Sequence, residues 1–173
     1  MDQKRRNDAS TGVLAAEIVR EYGPFSDAPH VHGVTFDGTN VWFAAGDALR
    51  AFDPSTGRDV RALVVASDAG TAFDGRYLYQ LADSRIQKVD PAMGTVVATI
   101  PAPGKGYDSG LTWAEGTRWV GQYRDRKIHQ IDPQTGAILR TIEIEPLRHG
   151  SDVGRRRALA WHMGTRPERH PPH

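Results

Sequence analysis

The sequence FDGTNVWFAAGDALRAFDPSTGRDVRALVV, from Phe36 to Val65, returns twice further along the chain. The second copy, FDGRYLYQLADSRIQKVDPAMGTVVATI, begins at Phe73, and the third, WAEGTRWVGQYRDRKIHQIDPQTGAILRTI, begins at Trp113. The three copies therefore start 37 and 40 residues apart. A fixed period of this size indicates a repeat architecture, in which each repeat is one supersecondary unit.

Each repeat contains the turn motif D-P-x-x-G, opened by Asp53, Asp90 and Asp132 at spacings of 37 and 42 residues. Proline fixes φ at the second position of such a turn, and the aspartate side chain accepts hydrogen bonds from the backbone that follows it. Glycine at the fifth position, Gly57 in the first repeat, tolerates the left-handed conformation. We therefore predict that the three aspartates form turns and are not catalytic acids.

The first repeat reads as four short strands, at residues 31–36, 40–45, 49–52 and 58–65. Valine, isoleucine and aromatic residues dominate these runs, as strands favour. Asp-Gly at 37–38 and at 74–75 is a strong hairpin signal. Over the three repeats, the predicted strand regions are 36–45, 49–65, 73–81, 85–100, 111–120 and 127–143.

Four-stranded units of this length predict an all-β fold, a partial β-propeller of about three four-stranded antiparallel blades with an irregular C-terminal tail. The alternative is a β-sandwich made of three unrelated meanders. Three blades do not close a ring, so the outer faces of the first and third blades should be apolar and uncovered. Large exposed apolar patches mark interaction sites, which predicts self-association through these blade faces.

The repeats divide the chain into three parts. Residues 1–29 form an N-terminal segment, in which 13–19 could be helical or could be a leading strand that completes a blade; residues 30–146 hold the blades. Residues 147–173, LRHGSDVGRRRALAWHMGTRPERHPPH, form an irregular basic tail. A nucleic-acid arm around residues 155–157 is the functional alternative for this tail, but a lone basic run is usually a solvated surface.

The tail also permits a second interpretation, a frameshift in the coding sequence near Pro146. Plausible codons for Leu147 to Met163, read one base downstream, permit FVTGATWVDGELWHGT. That sequence matches the start of the third repeat, SGLTWAEGTRWVGQY. We hypothesise that the gene continues in the shifted frame through further blades with D-P-x-x-G turns.

The composition excludes several classes of protein. The 173-residue chain has a formal net charge of +1, so no strong field favours nucleic acid or an anionic membrane. It has no cysteine, which excludes disulfides and thiolate metal sites. The basic start, MDQKRRNDAS, precedes an apolar stretch that is too short for a signal peptide and contains Glu17. We expect a cytoplasmic protein without nucleic-acid or membrane partners, and no motif predicts a cofactor.

Three stretches carry a family resemblance: HVHGVTFDGTNVWFAAG, AGTAFDGRYLYQLAD and SGLTWAEGTRWVGQYRDRKIHQIDPQTG. They resemble the plant-type glutaminyl-peptide cyclotransferases and their bacterial β-propeller relatives, and the wider YVTN- and NHL-like propellers are also similar. The resemblance covers about residues 30–146. It implies a propeller that cyclises an N-terminal glutamine, with its site at the mouth of the central channel.

The family pattern has a glutamine or glutamate before each inner strand, and the matching positions here are His32, Ala69 and Ser109. Asp68 could substitute for the missing acid one residue away. Cyclisation needs a general acid–base group for the proton transfers and aromatic walls around the substrate. The candidate catalytic residues are therefore His32, Asp68 and Asp108.

The candidate ligand-binding residues are His30, Ser109 and Trp113. His30 and His32 form an H-x-H pair that could share a metal, but no third ligand is placed, so no metal site is predicted. Structural alternatives stand beside these assignments. Aspartates at strand starts commonly bind local backbone, and Trp113 would fit inter-blade packing equally well.

Two functions remain open at this point. The first is a binding module that recognises a small molecule or a peptide N-terminus and performs no chemistry. The alternative is an enzyme, a glutaminyl-peptide cyclotransferase or a related propeller lyase.

Overall fold

The computed structural model describes residues 16–144, in which all regular structure is β-strand. The strands are β1 (Val34–Phe36), β2 (Val41–Ala44), β3 (Gly46–Phe52), β4 (Asp59–Ser67), β5 (Thr71–Phe73), β6 (Leu78–Ala82), β7 (Arg85–Asp90), β8 (Thr95–Pro101), β9 (Gly110–Ala114), β10 (Thr117–Gln122), β11 (Lys127–Ile131) and β12 (Ile138–Glu143). In this part of the chain no helix is long and apolar enough to cross a membrane.

The strands form three separate four-stranded sheets, and each sheet is an antiparallel meander of consecutive strands. We call them blade 1 (β1–β4), blade 2 (β5–β8) and blade 3 (β9–β12). Each blade coincides with one sequence repeat. The predicted fold class, an all-β partial propeller of three four-stranded antiparallel blades, is confirmed.

The strand bounds differ from the predicted ones at the first blade. Regular strand begins at Val34 and not at Val31, although pairing with β2 continues through the bond from the Ala44 amide to the Gly33 carbonyl, 2.8 Å. Residues 16–29 contain neither a strand nor a helix, so the leading strand considered for this region is not formed there. The basic tail and the site of the hypothesised frameshift lie outside the described residues.

Two apolar clusters join the blades. The first lies between blades 1 and 2, and its buried members are Trp42, Ala44, Leu49, Ala51, Leu63, Val65, Leu78 and Val89. The second lies between blades 2 and 3, and its buried members are Ala72, Tyr79, Leu81, Ile86, Ala102, Leu111, Val120 and Ile131. In the first cluster blade 1 presents its second, third and fourth strands to blade 2. In the second, blade 2 contributes residues of β5, β6 and β7 together with Ala102, which follows β8. The core of the molecule is therefore the repeated packing of one blade on the next.

A glycine at the start of each inner strand marks how closely the blades approach. A Cβ atom added to Gly33 would lie 2.6 Å from the Ala69 carbonyl oxygen of blade 2. A Cβ atom on Gly70 would overlap the Leu111 backbone of blade 3. The equivalent Gly110 of blade 3 has nothing within 4 Å. Two of the three glycines therefore touch a following blade, and the third does not.

The D-P-x-x-G motifs form turns, as predicted. In each, the glycine amide donates to the aspartate carbonyl; the Gly57 amide, for example, lies 2.7 Å from the Asp53 carbonyl oxygen. Hydrogen bonds from Ser55 and Thr56 hold the pKa of the Asp53 carboxyl below its ordinary value. Backbone amides lower the pKa of the corresponding carboxyls of Asp90 and Asp132 in the same way.

A second aspartate position ties the first hairpin of each blade to its second strand. Asp37 accepts a hydrogen bond from Trp42 Nε1 at 2.6 Å, and Asp74 accepts one from the Tyr79 hydroxyl at 2.6 Å. In blade 3 the position is Ala114. Trp119 Nε1 is consequently buried with no hydrogen-bond partner among the described residues. One blade thus lacks an acceptor that the other two possess.

We expect Ala114→Asp to raise the free energy of unfolding by about 1 kcal/mol, because it supplies the acceptor that Trp119 lacks. Urea denaturation followed by circular dichroism measures the change. The same substitution in a Trp119→Phe background is the control, since no indole N–H remains to be satisfied. An equal gain in both backgrounds would show that the effect does not come from this hydrogen bond.

Candidate ligand-binding site

A cleft of about 270 Å³ opens between blades 2 and 3, at the edge where their inner strands begin. Three connections supply its walls: the β4–β5 link, the β6–β7 hairpin and the β8–β9 loop. Because consecutive strands are antiparallel, these connections all reach the same edge of the sheets. The lining residues are Asp68, Ala69, Leu81, Ala82, Asp83, Ser84, Gly106 and Asp108.

The cleft is acidic. Asp68, Asp83 and Asp108 line it, and no lysine, arginine or histidine does. Asp68 and Asp83 are exposed, whereas Asp108 is half-buried. A concave site with charge of one sign favours ligands of the opposite charge.

Asp108 is fixed by two hydrogen bonds. Its Oδ2 accepts from the Gly104 amide at 2.8 Å, and its Oδ1 accepts from Gln122 Nε2 at 3.1 Å. The Gln122 side chain comes from β10 and is buried. Asp108 therefore secures the β8–β9 loop to blade 3 while it lines the cleft.

Asp83 is placed by the two-residue hairpin between β6 and β7. Asp83 and Ser84 have φ values of 50° and 58°, so both central residues of the turn are left-handed. Such turns match the twist of paired strands, and short polar residues tolerate them better than bulky ones. Asp83 is not among the site residues that the sequence predicts. The available signal is its position in the chain. The hairpin between the second and third strands of a blade lies at the same edge of the sheet as the start of the inner strand.

The structure brings together only part of the predicted catalytic set. Asp68 and Asp108 share the cleft, as expected for residues that precede neighbouring inner strands. His30 and His32 do not line it; both are exposed, and their ring centroids lie 6.4 Å apart. The described residues contain no group of three side chains that could hold a metal ion. His32 therefore lies outside the cleft that Asp68 and Asp108 line, and its candidate catalytic role stays a prediction.

The remaining predicted ligand contacts have structural partners. Ser109 is exposed and its hydroxyl donates to the Gly121 carbonyl oxygen at 3.1 Å. Trp113 is half-buried and stacks on Tyr79 with ring centroids 5.6 Å apart and an interplanar angle of 4°. Trp113 thus packs blade 3 on blade 2, which was the structural alternative for this residue.

Tyr79 is the centre of a polar cluster that the sequence did not reveal. Burial, followed by the hydrogen bond to Asp74, raises the pKa of Tyr79 to about 12. The guanidinium carbon of Arg118 lies 4.1 Å from the Tyr79 ring centroid, and Arg118 Nη2 donates to the Pro133 carbonyl at 2.6 Å. Tyr79 therefore remains protonated at neutral pH and joins the hairpin of blade 2 to a buried cation of blade 3.

No protein-family model and no curated protein sequence matches the chain. Among solved structures, a glutaminyl cyclase from Myxococcus xanthus is similar at 16% identity with a TM-score of 0.57, over 65% of this chain and 52% of that one. The hydrazine synthase of Kuenenia stuttgartiensis is similar at 20% identity with a TM-score of 0.53, over 77% of this chain and 40% of that one. The Pan2 WD40 domain of Neurospora crassa is similar at 15% identity with a TM-score of 0.52, over 65% and 36%.

The chain spans about half the length of the glutaminyl cyclase, and less of the other two structures. Identities this low show the fold alone. Residues 16–144 therefore form a partial β-propeller of three blades, with an acidic cleft between the second and the third.

Proposed function

We propose that this chain is a ligand-binding propeller module whose acidic cleft takes a small cationic group, such as the amino terminus of a peptide. One observation carries the proposal: three carboxylates and no basic side chain line the cleft between blades 2 and 3. Aspartates are ionised near pH 7, so the cleft attracts an ammonium group. Its volume of about 270 Å³ suits one or two residues of a peptide.

The three carboxylates have different roles in this proposal. Asp108 is held by Gly104 and Gln122 and provides a fixed charge at the wall. Asp68 and Asp83 are exposed and can adjust to the ligand. Because exposed charges are screened by salt, we expect modest affinity that weakens as ionic strength rises.

Isothermal titration of the full chain with a short Gln-initiated peptide tests the proposal. We expect binding by the free peptide and at least a tenfold weaker interaction with its N-acetylated form, which has no ammonium group. Asp83→Asn should weaken binding of the free peptide. Asp47→Asn is the control, since Asp47 is an exposed aspartate at the start of β3 in blade 1 and does not line the cleft. Equal affinity for the two peptides would contradict the proposal.

The same samples decide between binding and catalysis. Both oxygens of Asp108 already accept protein hydrogen bonds, which favours a binding role for this carboxylate over proton transfer. Mass spectrometry of the incubated peptide should therefore show no loss of ammonia. Conversion to the pyroglutamyl peptide, abolished by Asp68→Asn, would replace the binding module by a glutaminyl-peptide cyclotransferase.

A further inference from the structure

Blade 3 leaves uncovered the face that blades 1 and 2 bury. In blade 1 this face carries Trp42, Leu49 and Leu63, which are 3%, 0% and 4% exposed. Its counterparts in blade 3, by strand and register, are Trp119, Ile128 and Ile142. Trp119 and Ile128 are only half-buried, while Ile142 is 36% and Ile144 51% exposed. The face has the residue pattern of an inter-blade interface, and within residues 16–144 no further blade packs on it.

At the opposite end, the first blade is partly covered by residues 20–28, which we call the N-terminal cover. Phe25 stacks on Phe43 with ring centroids 4.6 Å apart, and Tyr22 packs on Phe52 at 4.8 Å. Ala28 is buried beside them. The cover is incomplete, because an apolar cavity of about 270 Å³ remains, lined by Tyr22, Phe25, Val31, Val34, Val41, Phe43 and Phe52.

The N-terminal cover stands where the outer strand of a preceding blade would stand. Between blades 1 and 2, Arg61 of β4 donates to the Ala92 carbonyl at 2.8 Å, and Leu63 contacts Gly94 of the same D-P-x-x-G turn. In the N-terminal cover, Arg20 donates to the Pro54 carbonyl at 2.8 Å.

Tyr22 lies against Gly57 of the blade 1 turn, just as Leu63 lies against Gly94 of the blade 2 turn. In both places an arginine and the apolar residue two positions later thus contact the turn of the following blade. The arginine's acceptor is the second turn residue, Pro54, in blade 1 and the third turn residue, Ala92, in blade 2.

Strand β12 carries this pair of residues as well. Arg140 and Ile142 follow Asp132 at the separations at which Arg61 and Leu63 follow Asp53. In the part of the chain that the structure describes, however, no turn follows blade 3 to accept the guanidinium of Arg140. The outer strand of blade 3 and the N-terminal cover therefore both carry an arginine and, two positions later, an apolar residue. Both segments fit the same surface, which is the turn and the apolar face of blade 1.

We propose that blade 3 of one chain docks on blade 1 of a second copy and displaces the N-terminal cover of that copy. Arg140 and Ile142 then replace Arg20 and Tyr22 at the Pro54 to Gly57 turn, and the apolar cavity is filled by a full blade. The new contact continues the interface that already occurs twice within the chain. A head-to-tail interface forms a ring when its rotation closes. The described residues of two chains supply six blades, which lies within the range of closed propellers.

Substitutions in the N-terminal cover provide the test. We expect Arg20→Ala combined with Tyr22→Ala to loosen the cover and shift the full chain from 19.0 kDa to a species of about twice that mass, as measured by light scattering after size exclusion. At a fixed concentration, the dimer fraction should rise at least threefold over the unsubstituted chain. Adding Ile142→Asp should return the protein to the monomer.

Two controls accompany this test, a substitution outside the proposed interface and a check that each variant is folded. Tyr123→Asp replaces an aromatic residue that is 85% exposed but lies in the β10–β11 hairpin, outside the strands of blade 3, and should leave the dimer fraction unchanged. Circular dichroism of each variant shows whether it is folded. A monomer after loosening the cover, or a dimer that survives Ile142→Asp in a folded protein, overturns the proposal. A series of oligomers larger than the dimer would show that the interface does not close into a ring of two chains.

Discussion

Replacing Gly70 with alanine should lower the free energy of unfolding by about 3 kcal/mol or more. The added Cβ would overlap the Leu111 backbone and lie 2.8 Å from the Gly110 carbonyl carbon. Both contacts are with main chain, which cannot rotate away as a flexible side chain would. The overlap is relieved only if blades 2 and 3 separate, and their separation uncovers the second apolar cluster. Urea denaturation gives the change in stability.

Gly110→Ala is the matched control, because Gly110 occupies the same position in blade 3 and a Cβ there meets nothing within 4 Å. We expect its free energy of unfolding to change by no more than about 0.5 kcal/mol. Similar losses in the two variants would mean that the blades do not approach each other as the structure shows.

Asp74→Ala has the second largest expected effect, a loss of about 2–4 kcal/mol. The carboxylate accepts from the Arg76 and Tyr77 amides and from the Tyr79 hydroxyl, at 2.8, 2.7 and 2.6 Å. Alanine removes all three bonds. It leaves the hydroxyl of the buried Tyr79 unsatisfied at the interface with blade 3, which adds the cost of an unpaired polar group.

The pH dependence of this loss identifies its origin. Burial raises the pKa of the Asp74 carboxyl, but hydrogen bonds from Tyr77, Tyr79 and Arg76 outweigh it, and the net pKa lies below the ordinary value. A carboxyl with a lowered folded-state pKa stabilises the protein above its unfolded pKa of about 3.9, and that stabilisation is lost as the pH falls through the folded value. The difference in free energy of unfolding between the native chain and Asp74→Ala should therefore become smaller on acidification below about pH 4. Asp47→Ala, at an exposed position of β3, should leave the free energy of unfolding nearly unchanged and serves as the control.

Much of the fold was predictable from the sequence because the signal is repeated. The D-P-x-x-G turns fixed three hairpins, and alternation between them indicated the strands of each blade. The two Asp-Gly hairpins formed where expected. What local patterns did not predict is the conformation of residues 16–29, since an N-terminal segment has no strand partner within its own stretch of sequence and is placed by the blade 1 face that it covers.

The candidate site was predictable only in part. Asp68 and Asp108 were found because both precede inner strands, a position that recurs with the repeat. Asp83 was missed because a hairpin aspartate looks like an ordinary turn residue until a neighbouring blade closes a cleft beside it. The repeat aligns His32 with the other strand starts, but His32 does not line this cleft, because the cleft is bounded by the β4–β5 link, the β6–β7 hairpin and the β8–β9 loop.

Hydrogen exchange of the two outer strands β4 and β12 tests most directly whether each blade is held by the next. Both strands pair on one edge only, but Leu63, Val65 and Ser67 of β4 are buried under blade 2, whereas every residue of β12 is exposed. In a dilute sample whose mass is that of a single chain, we expect the β4 amides to exchange at least tenfold more slowly than those of β12. Equal protection of the two strands in that sample would contradict the account, because it would show that the packing of one blade on the next does not hold the chain together.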